Sequence, residues 1–446
     1  MASTYLTRSV STTGNRRTWT FSAWVKKANT TQQYQNMFAA GSNNIRINFS
    51  NQNIWVYDYN GSGFDFYLVT NRLFRDTNAF YHIVVAVDTT QATSSDRVKL
   101  WVNGVQETSF STETYPSQNH DTEANTSGQN NVIGTDAGSL GSNSFDGVMT
   151  HIHWVDGTAY DPSTFGETDA TTGIWKPKTA PSVTYGTNGF FLKFASAGSL
   201  GTDSSGNGNN FTLSGSGTQT QDTPSNVFAT WNSLAGFALP NGGFSNGNTT
   251  ATQGGNTSWT GAISNLGVNS GKYYCEVKWT GQYATFGFLT SSEINRLSEI
   301  GQAGKTSYGL YYSGDLFVCE NGSISSVSSY GSAISSGSIV QLAIDKDNNK
   351  LYWGINGTWQ NSANPSSGTG GRSIAYLTDE FWHFAVDQRK DSGNGTMEAN
   401  FGNGYFGTTA VSSAQSPSDG IGLFEYSVPS GYKALCTKSI NSQEYS

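Results

Sequence analysis

Val98-Lys-Leu-Trp-Val-Asn-Gly-Val105 is the stretch of this 446-residue sequence that decides its fold class. Val98, Leu100 and Val102 alternate with other residues, so they lie on one face of an extended strand. Asn103-Gly104 follows them, and an Asn-Gly pair after such alternation is the strongest short signal for a β-hairpin, because both turn positions need a positive φ. The stretch therefore predicts two antiparallel strands joined by a tight turn.

The same alternation recurs along the chain. It is present in Trp19-Thr-Phe-Ser-Ala-Trp-Val25 and in Lys272-Tyr-Tyr-Cys-Glu-Val-Lys-Trp279, and Lys350-Leu-Tyr-Trp-Gly-Ile355 precedes a second pair, Asn356-Gly357. No stretch of a dozen residues has convincing helical periodicity, and the segment 292–303 is the best candidate for one short helix. The pattern predicts an all-β protein.

Composition excludes several classes of protein. Charged residues make up 13% of the chain and aromatic residues another 13%, whereas disordered chains are rich in charge and poor in aromatics. The net charge is −8 and no Lys/Arg cluster occurs, so we expect no nucleic-acid binding. The longest apolar run, Ile83 to Val87, is far below the ~20 residues of a membrane helix, so we expect no membrane insertion.

Cysteine usage and the N-terminus bear on the compartment. Cys275, Cys319 and Cys436 are too few to form a disulfide framework, and we interpret them as reduced thiols in the core. The N-terminus has no apolar signal-peptide region. We therefore expect synthesis in a cytoplasm without export.

The composition shifts between residues 195 and 226, where Gly, Ser, Thr, Asn and Asp dominate up to Asp222-Thr-Pro224. We place a domain boundary there, with domains at 1–222 and 223–446. Each half contains a strand, a polar turn, a strand and an Asn-Gly turn. Two tandem antiparallel β-sandwiches are the fold that fits this strand density.

Four motifs of the first half carry a family resemblance. They are Thr18-Trp-Thr-Phe-Ser-Ala-Trp24, Asp96-Arg-Val-Lys-Leu-Trp-Val-Asn-Gly104, Phe145-Asp-Gly147 with Trp154-Val-Asp-Gly157, and Asp203-Ser-Ser-Gly-Asn-Gly208. Over roughly residues 1–215, the chain resembles the laminin-G-like members of the concanavalin A-like lectin/glucanase superfamily. The resemblance implies a jelly-roll β-sandwich.

The second half is similar to SPRY domains over roughly residues 226–410, which implies a second concanavalin A-like sandwich. The motifs that carry this resemblance are Gly271-Lys-Tyr-Tyr-Cys-Glu-Val277, Thr285-Phe-Gly-Phe288, Ser307-Tyr-Gly-Leu310 and the stretch from Asp345 to Trp359. SPRY domains build their ligand surface from loops at one edge of the sandwich.

Other phrases resemble virion proteins of tailed phages. They are Gly173-Ile-Trp-Lys-Pro177, Tyr185-Gly-Thr-Asn-Gly-Phe190, Asp203-Ser-Ser-Gly-Asn-Gly-Asn-Asn-Phe211 and Gly431-Tyr-Lys-Ala-Leu-Cys436. The resemblance implies a structural protein on the virion surface (a fibre, spike or decoration protein) that contacts other virion proteins. It also implies a homo-oligomer, for which a trimer is one option. The absence of heptads and β-helix repeats favours a compact decoration protein over a long fibre.

Aromatic side chains are the main candidates for glycan binding, because sugars stack their C–H faces on rings. In Ile54-Trp-Val-Tyr-Asp-Tyr59, one face holds Trp55, Tyr57 and Tyr59 and the other holds Ile54, Val56 and Asp58. The alternation alone does not say which face is buried. In the second half, the candidates are Tyr283, Tyr312 and Trp359.

Calcium is the one candidate cofactor. Laminin-G-like domains often carry it, and Asp203, Asn207 and Asn209 offer oxygen ligands at short spacing. The alternative is a structural loop of Asx turns that closes the sandwich. A second metal candidate is the pair His151 and His153, whose alternative is a solvent-facing strand surface.

Catalysis is not expected. A glucanase of this superfamily needs two carboxylates on one face of a strand, and the closest spacing, Asp121-Thr-Glu123, lies in a polar loop. We therefore expect a non-catalytic virion protein that binds host-surface or environmental glycans. The alternatives are a capsid decoration protein without a ligand and a glycan-degrading enzyme.

Overall fold

Strands that alternate between a buried and an outward-facing side make up nearly all of the regular structure. The computed structural model describes residues 4–42, 44–235, 242–254, 256–294, 300–302, 304 and 306–444. Two compact units are present, Met1–Gln219 with Thr223–Ser225, and Thr220–Asp222 with Asn226–Ser446. The sequence-based boundary after residue 222 lies within the short segment where the two units alternate along the chain.

The first unit contains two large antiparallel sheets and one small one. Its strands are β1 (Tyr5–Ser9), β2 (Thr18–Lys27), β3 (Tyr34–Ala40), β4 (Ile45–Ser50), β5 (Asn53–Tyr59), β6 (Phe64–Thr70), β7 (Tyr81–Asp88), β8 (Val98–Val102), β9 (Val105–Gln106), β10 (Phe110–Thr114), β11 (Asn130–Ile133), β12 (Gly147–Asp156), β13 (Gly166–Thr168), β14 (Trp175–Pro177), β15 (Phe190–Leu192) and β16 (Thr212–Ser214). Sheet A has eight strands in the order β10-β6-β5-β4-β3-β11-β1-β16, and sheet B has six in the order β15-β12-β2-β7-β8-β9.

Side chains from both sheets fill the core between them. Sheet B contributes Trp19 and Trp154, and sheet A contributes Phe38. The ring of Trp154 stacks on Trp19 at 4.8 Å and on Phe38 at 4.5 Å between centroids. The contact of Trp154 with Phe38 crosses the sandwich and helps to hold sheets A and B face to face.

The second unit is a separate sandwich. Its strands are β17 (Gly243–Ser245), β18 (Thr250–Gln253), β19 (Asn256–Ile263), β20 (Lys272–Thr280), β21 (Tyr283–Thr290), β22 (Thr306–Tyr311), β23 (Leu316–Glu320), β24 (Ser323–Val327), β25 (Ile339–Asp345), β26 (Lys350–Ile355), β27 (Thr358–Trp359), β28 (Arg372–Ser373), β29 (Trp382–Lys390), β30 (Gly395–Asn400), β31 (Tyr405–Phe406), β32 (Thr409–Ala410) and β33 (Lys433–Ala434), and helix α1 spans Thr437–Glu444. Sheet C has nine strands with the main order β17-β18-β30-β20-β25-β26-β27, and sheet D has the order β19-β29-β21-β22-β23-β24. The expected fold class, all-β with two tandem sandwiches, is confirmed.

Both Asn-Gly turns form as the sequence predicts. Asn103 and Gly104 have φ values of 50° and 80°, and Asn356 and Gly357 have 48° and 86°. Each pair joins two antiparallel neighbours, β8 to β9 and β26 to β27. The hairpin prediction is therefore confirmed in both units.

The structure bears on two further expectations, the state of the three cysteines and the position of a short helix. Cys275, Cys319 and Cys436 are all buried, and none of them forms a disulfide among the described residues, as interpreted from the sequence. A short helix is expected within residues 292–303. Residues 291–293 form a 3-10 turn, and residues 295–299 and 303 lie outside the described residues. Within the described ranges, no helix has the length and apolar character to cross a bilayer.

The separate cores predict separate unfolding. Trp154→Ala removes the central ring of the first core and costs that unit about 3–5 kcal/mol, whereas Trp353→Ala removes a buried ring of the second. In differential scanning calorimetry, we expect each variant to lower one transition and leave the other in place. A common shift of both transitions would contradict two independent cores.

A buried lysine predicts a pH-dependent gain in stability. Lys27 is fully buried and its ammonium lies 4.8 Å from the centre of the Phe49 ring. Burial lowers the pKa of Lys27 to about 8, against about 10.4 in an unfolded chain. The folded state therefore disfavours the charged form, and stability rises as the pH rises from about 8 to 10.4.

Lys27→Met is expected to raise the melting temperature most below pH 8. The gain should shrink as the pH approaches about 10.4, where the wild-type amine is neutral in both states. Thermal unfolding at a series of pH values measures the difference between wild type and variant. A gain in melting temperature that grows with pH would contradict the conclusion that burial disfavours the charged form of Lys27.

Candidate functional site

The face of β5 that points away from the core carries three aromatic rings. Ile54 and Val56 are completely buried between sheets A and B. Successive strand residues point to opposite faces, so Trp55, Tyr57 and Tyr59 lie on the outer face of sheet A. Trp55 and Tyr59 are half-buried and Tyr57 is 9% exposed. The structure thus settles which of the two faces of β5 is buried.

Neighbouring strands add three more rings to this face. Tyr67 lies directly opposite Tyr57 and Phe64 opposite Tyr59 in the β5–β6 pairing, and Tyr34 on β3 contacts Trp55 with ring centroids 5.7 Å apart. We call Tyr34, Trp55, Tyr57, Tyr59, Phe64 and Tyr67 the first aromatic patch. Phe64 is 47% exposed. Sequence reasoning missed the added rings, although Asn60-Gly61 marks the turn that brings β6 beside β5.

The rings adjoin a set of hydrogen-bonding side chains. Arg46 on β4 lies opposite Tyr57 on β5 and forms an ion pair of 2.9 Å with Asp136. Asn48 lies opposite Trp55, and Asn36 donates to Asp136 at 2.6 Å. The amide oxygens of Asn36 and Asn48 are buried, and neither has a hydrogen-bond partner among the residues that the structure describes. The outer face of sheet A therefore combines ring surfaces with guanidinium, carboxylate and amide groups.

The tyrosines of this patch stay uncharged over a wide pH range. Burial raises the pKa of Tyr57 and of Tyr67 to about 12. Their hydroxyl groups therefore remain able both to donate and to accept hydrogen bonds at neutral pH.

A second group of rings lies in the second unit. Tyr283 and Tyr312 are 5.3 Å apart, and Tyr311 contacts Tyr312 at 4.6 Å and Phe317 at 4.9 Å. With Trp259, which lies 6.0 Å from Tyr311, they form the second aromatic patch. The guanidinium of Arg389 lies 5.1 Å from the centre of the Tyr283 ring. Two of the three residues predicted for this half are thus brought together.

Trp359 does not belong to the second aromatic patch. It lies on β27 in sheet C, whereas Tyr283 is in sheet D. Its ring contacts Tyr274 at 6.3 Å and packs against a small apolar cluster that includes Phe424 and Tyr432. The three candidates of the second half therefore do not form one site.

The segment proposed for calcium is a loop held by its own hydrogen bonds. The two carboxylate oxygens of Asp203 accept from the backbone of Phe191, Ser205 and Asn209 and from the Ser205 hydroxyl, at 2.8–2.9 Å. The amide nitrogens of Asn207 and Asn209 both donate to the carbonyl of Gly189. A cation here would compete with these bonds for the oxygens of Asp203, and calcium binding stays a prediction.

The carboxylates considered for catalysis are engaged with arginines. Asp121 pairs with Arg17 at 2.8 Å and Glu123 with Arg16 at 3.3 Å. Both carboxylates lie in an irregular segment between β10 and β11. This segment does not provide the two same-face carboxylates of one strand that a glucanase of this superfamily needs.

The two histidines of β12 both contact the ring of Phe191 on β15. The pairing of β12 with β2 shifts between Thr150 and His153, and His151 has a positive φ of 48°. His153 is buried, stacks on Phe191 at 4.0 Å and bonds Tyr185 through Nδ1 at 2.8 Å. Burial lowers the pKa of His153 well below its usual value. The expectation of a solvent-facing surface is wrong for His153, because the rings of Phe165, Tyr185 and Phe191 cover that face of β12.

Solved structures of SPRY domains are among those similar to this chain. The SPRY domain of human HERC1 is 16% identical, and the match covers 37% of this chain and 96% of that chain with a TM-score of 0.26. The TRIM65 PSpry domain is 12% identical, and the match covers 38% of this chain and 88% of that chain with a TM-score of 0.26. Stonustoxin is 19% identical, and the match covers 39% of this chain and 27% of that chain with the same TM-score of 0.26. At this level of similarity, these structures carry no argument about function.

The first unit also matches a family model. Residues 2–162 match a laminin-G family described as "Concanavalin A-like lectin/glucanases superfamily", as the motifs of the first half predict. No curated protein matches the chain. The similarity over residues 2–162 is therefore to a superfamily named for both lectins and glucanases, and it does not distinguish binding from catalysis.

Proposed function

We propose that this protein binds carbohydrate without catalysis and is displayed on the surface of a phage particle. The observation that carries the binding proposal is the first aromatic patch. Its rings lie on the outer face of sheet A because the aliphatic residues of β5 fill the core. The patch is accessible at Phe64, which is 47% exposed, and at the half-buried Trp55 and Tyr59.

The chemistry of this face suits a sugar. A pyranose presents C–H groups on one face, which stack on rings, and hydroxyl groups at its edges, which need directional partners. Phe64 and Tyr67 are stacked at 4.6 Å and offer a ring surface, and the hydroxyl of Tyr59 lies on the same hairpin. Arg46 and Asp136 supply charged hydrogen-bonding groups on the same sheet face.

The proposed mode of attachment is weak and multivalent. A shallow outer sheet face buries less of a ligand than a deep pocket, so a single site binds weakly. Several copies on one particle raise the overall avidity by about 10²–10⁴ over one site. The second aromatic patch offers each chain a second surface of the same chemistry.

The proposal of a virion location rests on the phage-like phrases of the sequence. Its partners would be other virion proteins and further copies of the same chain, with a trimer as one option. Low charge, at 13% of residues, and many Ser, Thr and Asn side chains suit a surface exposed to the environment.

Removal of single rings tests the binding proposal. We expect the full chain to bind at least one bacterial surface polysaccharide on a glycan array. Trp55→Ala and Phe64→Ala should weaken that binding about tenfold or more, because each ring–sugar contact contributes on the order of 1 kcal/mol beyond area burial. Isothermal titration calorimetry with the best array ligand measures the change.

A matched control is Tyr376→Ala. Tyr376 is 45% exposed in the second unit and belongs to neither aromatic patch, so its loss should leave binding unchanged. Circular dichroism confirms that each variant is folded. If no glycan binds, the protein is better described as a decoration protein without a ligand. If the ring variants bind as the wild type does, the glycan site lies outside the first aromatic patch.

The virion location has its own test. Cryo-electron microscopy of purified phage particles that encode this chain is expected to show both sandwiches at the particle surface. The first aromatic patch should face outward, since a docked patch could not reach a cell. Absence of the chain from purified particles would contradict the virion proposal and leave the binding proposal standing.

A further inference from the structure

Three metal-binding side chains meet at the end of the β5–β6 hairpin. Nε2 of His120 lies 3.2 Å from Oδ2 of Asp58 and 3.7 Å from Oδ2 of Asp65. One oxygen or nitrogen of each residue lies within 4.8 Å of the others. The three residues come from β5, β6 and the segment that follows β10, so the cluster is a product of the tertiary fold.

A β-bulge places the second carboxylate in this cluster. The β5–β6 pairing joins Asp58 to Phe66 and then Tyr59 to Phe64, which leaves Asp65 as the extra residue. A bulge of this kind re-aims a side chain. Asp65 therefore lies on the same side of the hairpin as Asp58, while Phe64 joins the first aromatic patch on the other side.

Core contacts hold the segment that carries the histidine. The indole N–H of Trp19 donates to the hydroxyl of Thr122 at 3.0 Å, and that of Trp154 donates to the side-chain oxygen of Asn125 at 2.8 Å. The backbone N–H of Glu123 lies 3.3 Å from both oxygens of Asp58. The segment 120–125 is thus fixed against the core, which gives the cluster the rigidity that a metal site needs.

The cluster carries more negative than positive charge. Asp58 is fully buried. In the part of the chain that the structure describes, His120 is the only ion-pair partner of Asp58 and of Asp65. Two carboxylates therefore lie beside one imidazole, and no lysine or arginine among the described residues forms an ion pair with either carboxylate, an arrangement that a bound cation would stabilise.

The donor set and its spacing fit one kind of ion. Zinc binds imidazole nitrogen and carboxylate oxygen at ~2.0–2.2 Å, which puts the ligand atoms of a tetrahedral site about 3.3–3.5 Å apart. The distances from His120 to the two carboxylates bracket this value. Calcium instead takes six to eight oxygen ligands, and imidazole favours transition metals.

We propose that Asp58, Asp65 and His120 bind one divalent transition-metal ion of the zinc type, with solvent as the fourth ligand. The side chains of Asp65 and His120 are 24% and 21% exposed, so an ion can reach the cluster from solvent. The bound ion would join the hairpin that carries the first aromatic patch to the segment 120–125. The proposal does not depend on the proposed glycan binding.

Titration of the untagged full chain tests this site. After dialysis against a chelator, zinc chloride is expected to bind with one ion per chain in isothermal titration calorimetry, and calcium chloride to bind at least tenfold more weakly. Cobalt chloride should give the visible absorption of a four-coordinate ion, which requires no variant. A wild-type chain that binds neither zinc nor cobalt would overturn the proposal.

Two substitutions locate the ion. Asp65→Asn and His120→Gln should each weaken zinc binding at least tenfold, and Gln at 120 keeps an N–H donor toward Asp58 but no imidazole nitrogen. His151→Ala is the control, because His151 lies on β12 outside the cluster, and it should bind zinc as the wild type does. Zinc binding that both cluster variants retain would place the ion elsewhere and overturn the assignment.

Discussion

Each strand of a two-sheet sandwich buries one face, and in β5 the buried face is the aliphatic one. Ile54 and Val56 fill space between sheets A and B, and burial of such a side chain stabilises by about 1.5–3 kcal/mol. A shift of one residue in register would exchange them for Trp55, Tyr57 and Tyr59. Three large rings would then have to occupy the space of smaller side chains in a core that is already filled, and overpacking of this kind destabilises a protein. The packing of the core therefore determines where the aromatic side chains lie.

The same hairpin also carries the irregularity that separates its two proposed binding sites. Without the bulge, Phe64 and Phe66 would share a face, since they are two residues apart on one strand. With it, Phe66 enters the core, Phe64 joins the rings outside and Asp65 turns toward Asp58. One extra residue in β6 thus builds part of both the aromatic patch and the carboxylate–imidazole cluster.

Much of the local strand and turn structure was predictable from short stretches of sequence. The Asn-Gly pairs and the alternation around them fix strand, turn and pairing locally, and the rings at 55, 57 and 59 follow from the same period. The bulge at Asp65, the burial of His153 beneath Phe191 and the approach of His120 were not predictable, because each depends on pairing or packing between distant segments. The separation of Trp359 from Tyr283 and Tyr312 was not predictable for the same reason, since sheet order decides which residues of a sandwich are neighbours.

The indole of Trp19 and the hydroxyl of Thr122 meet across 103 residues of chain. Contacts of such long range are expensive in loop entropy until much of the structure is present, and proteins that depend on them fold slowly. The segment 120–125 is therefore expected to dock late, after β2 and β12 have closed the core beneath it. A newly made chain would pass through a state in which its sheets have formed but His120 is still remote from Asp58.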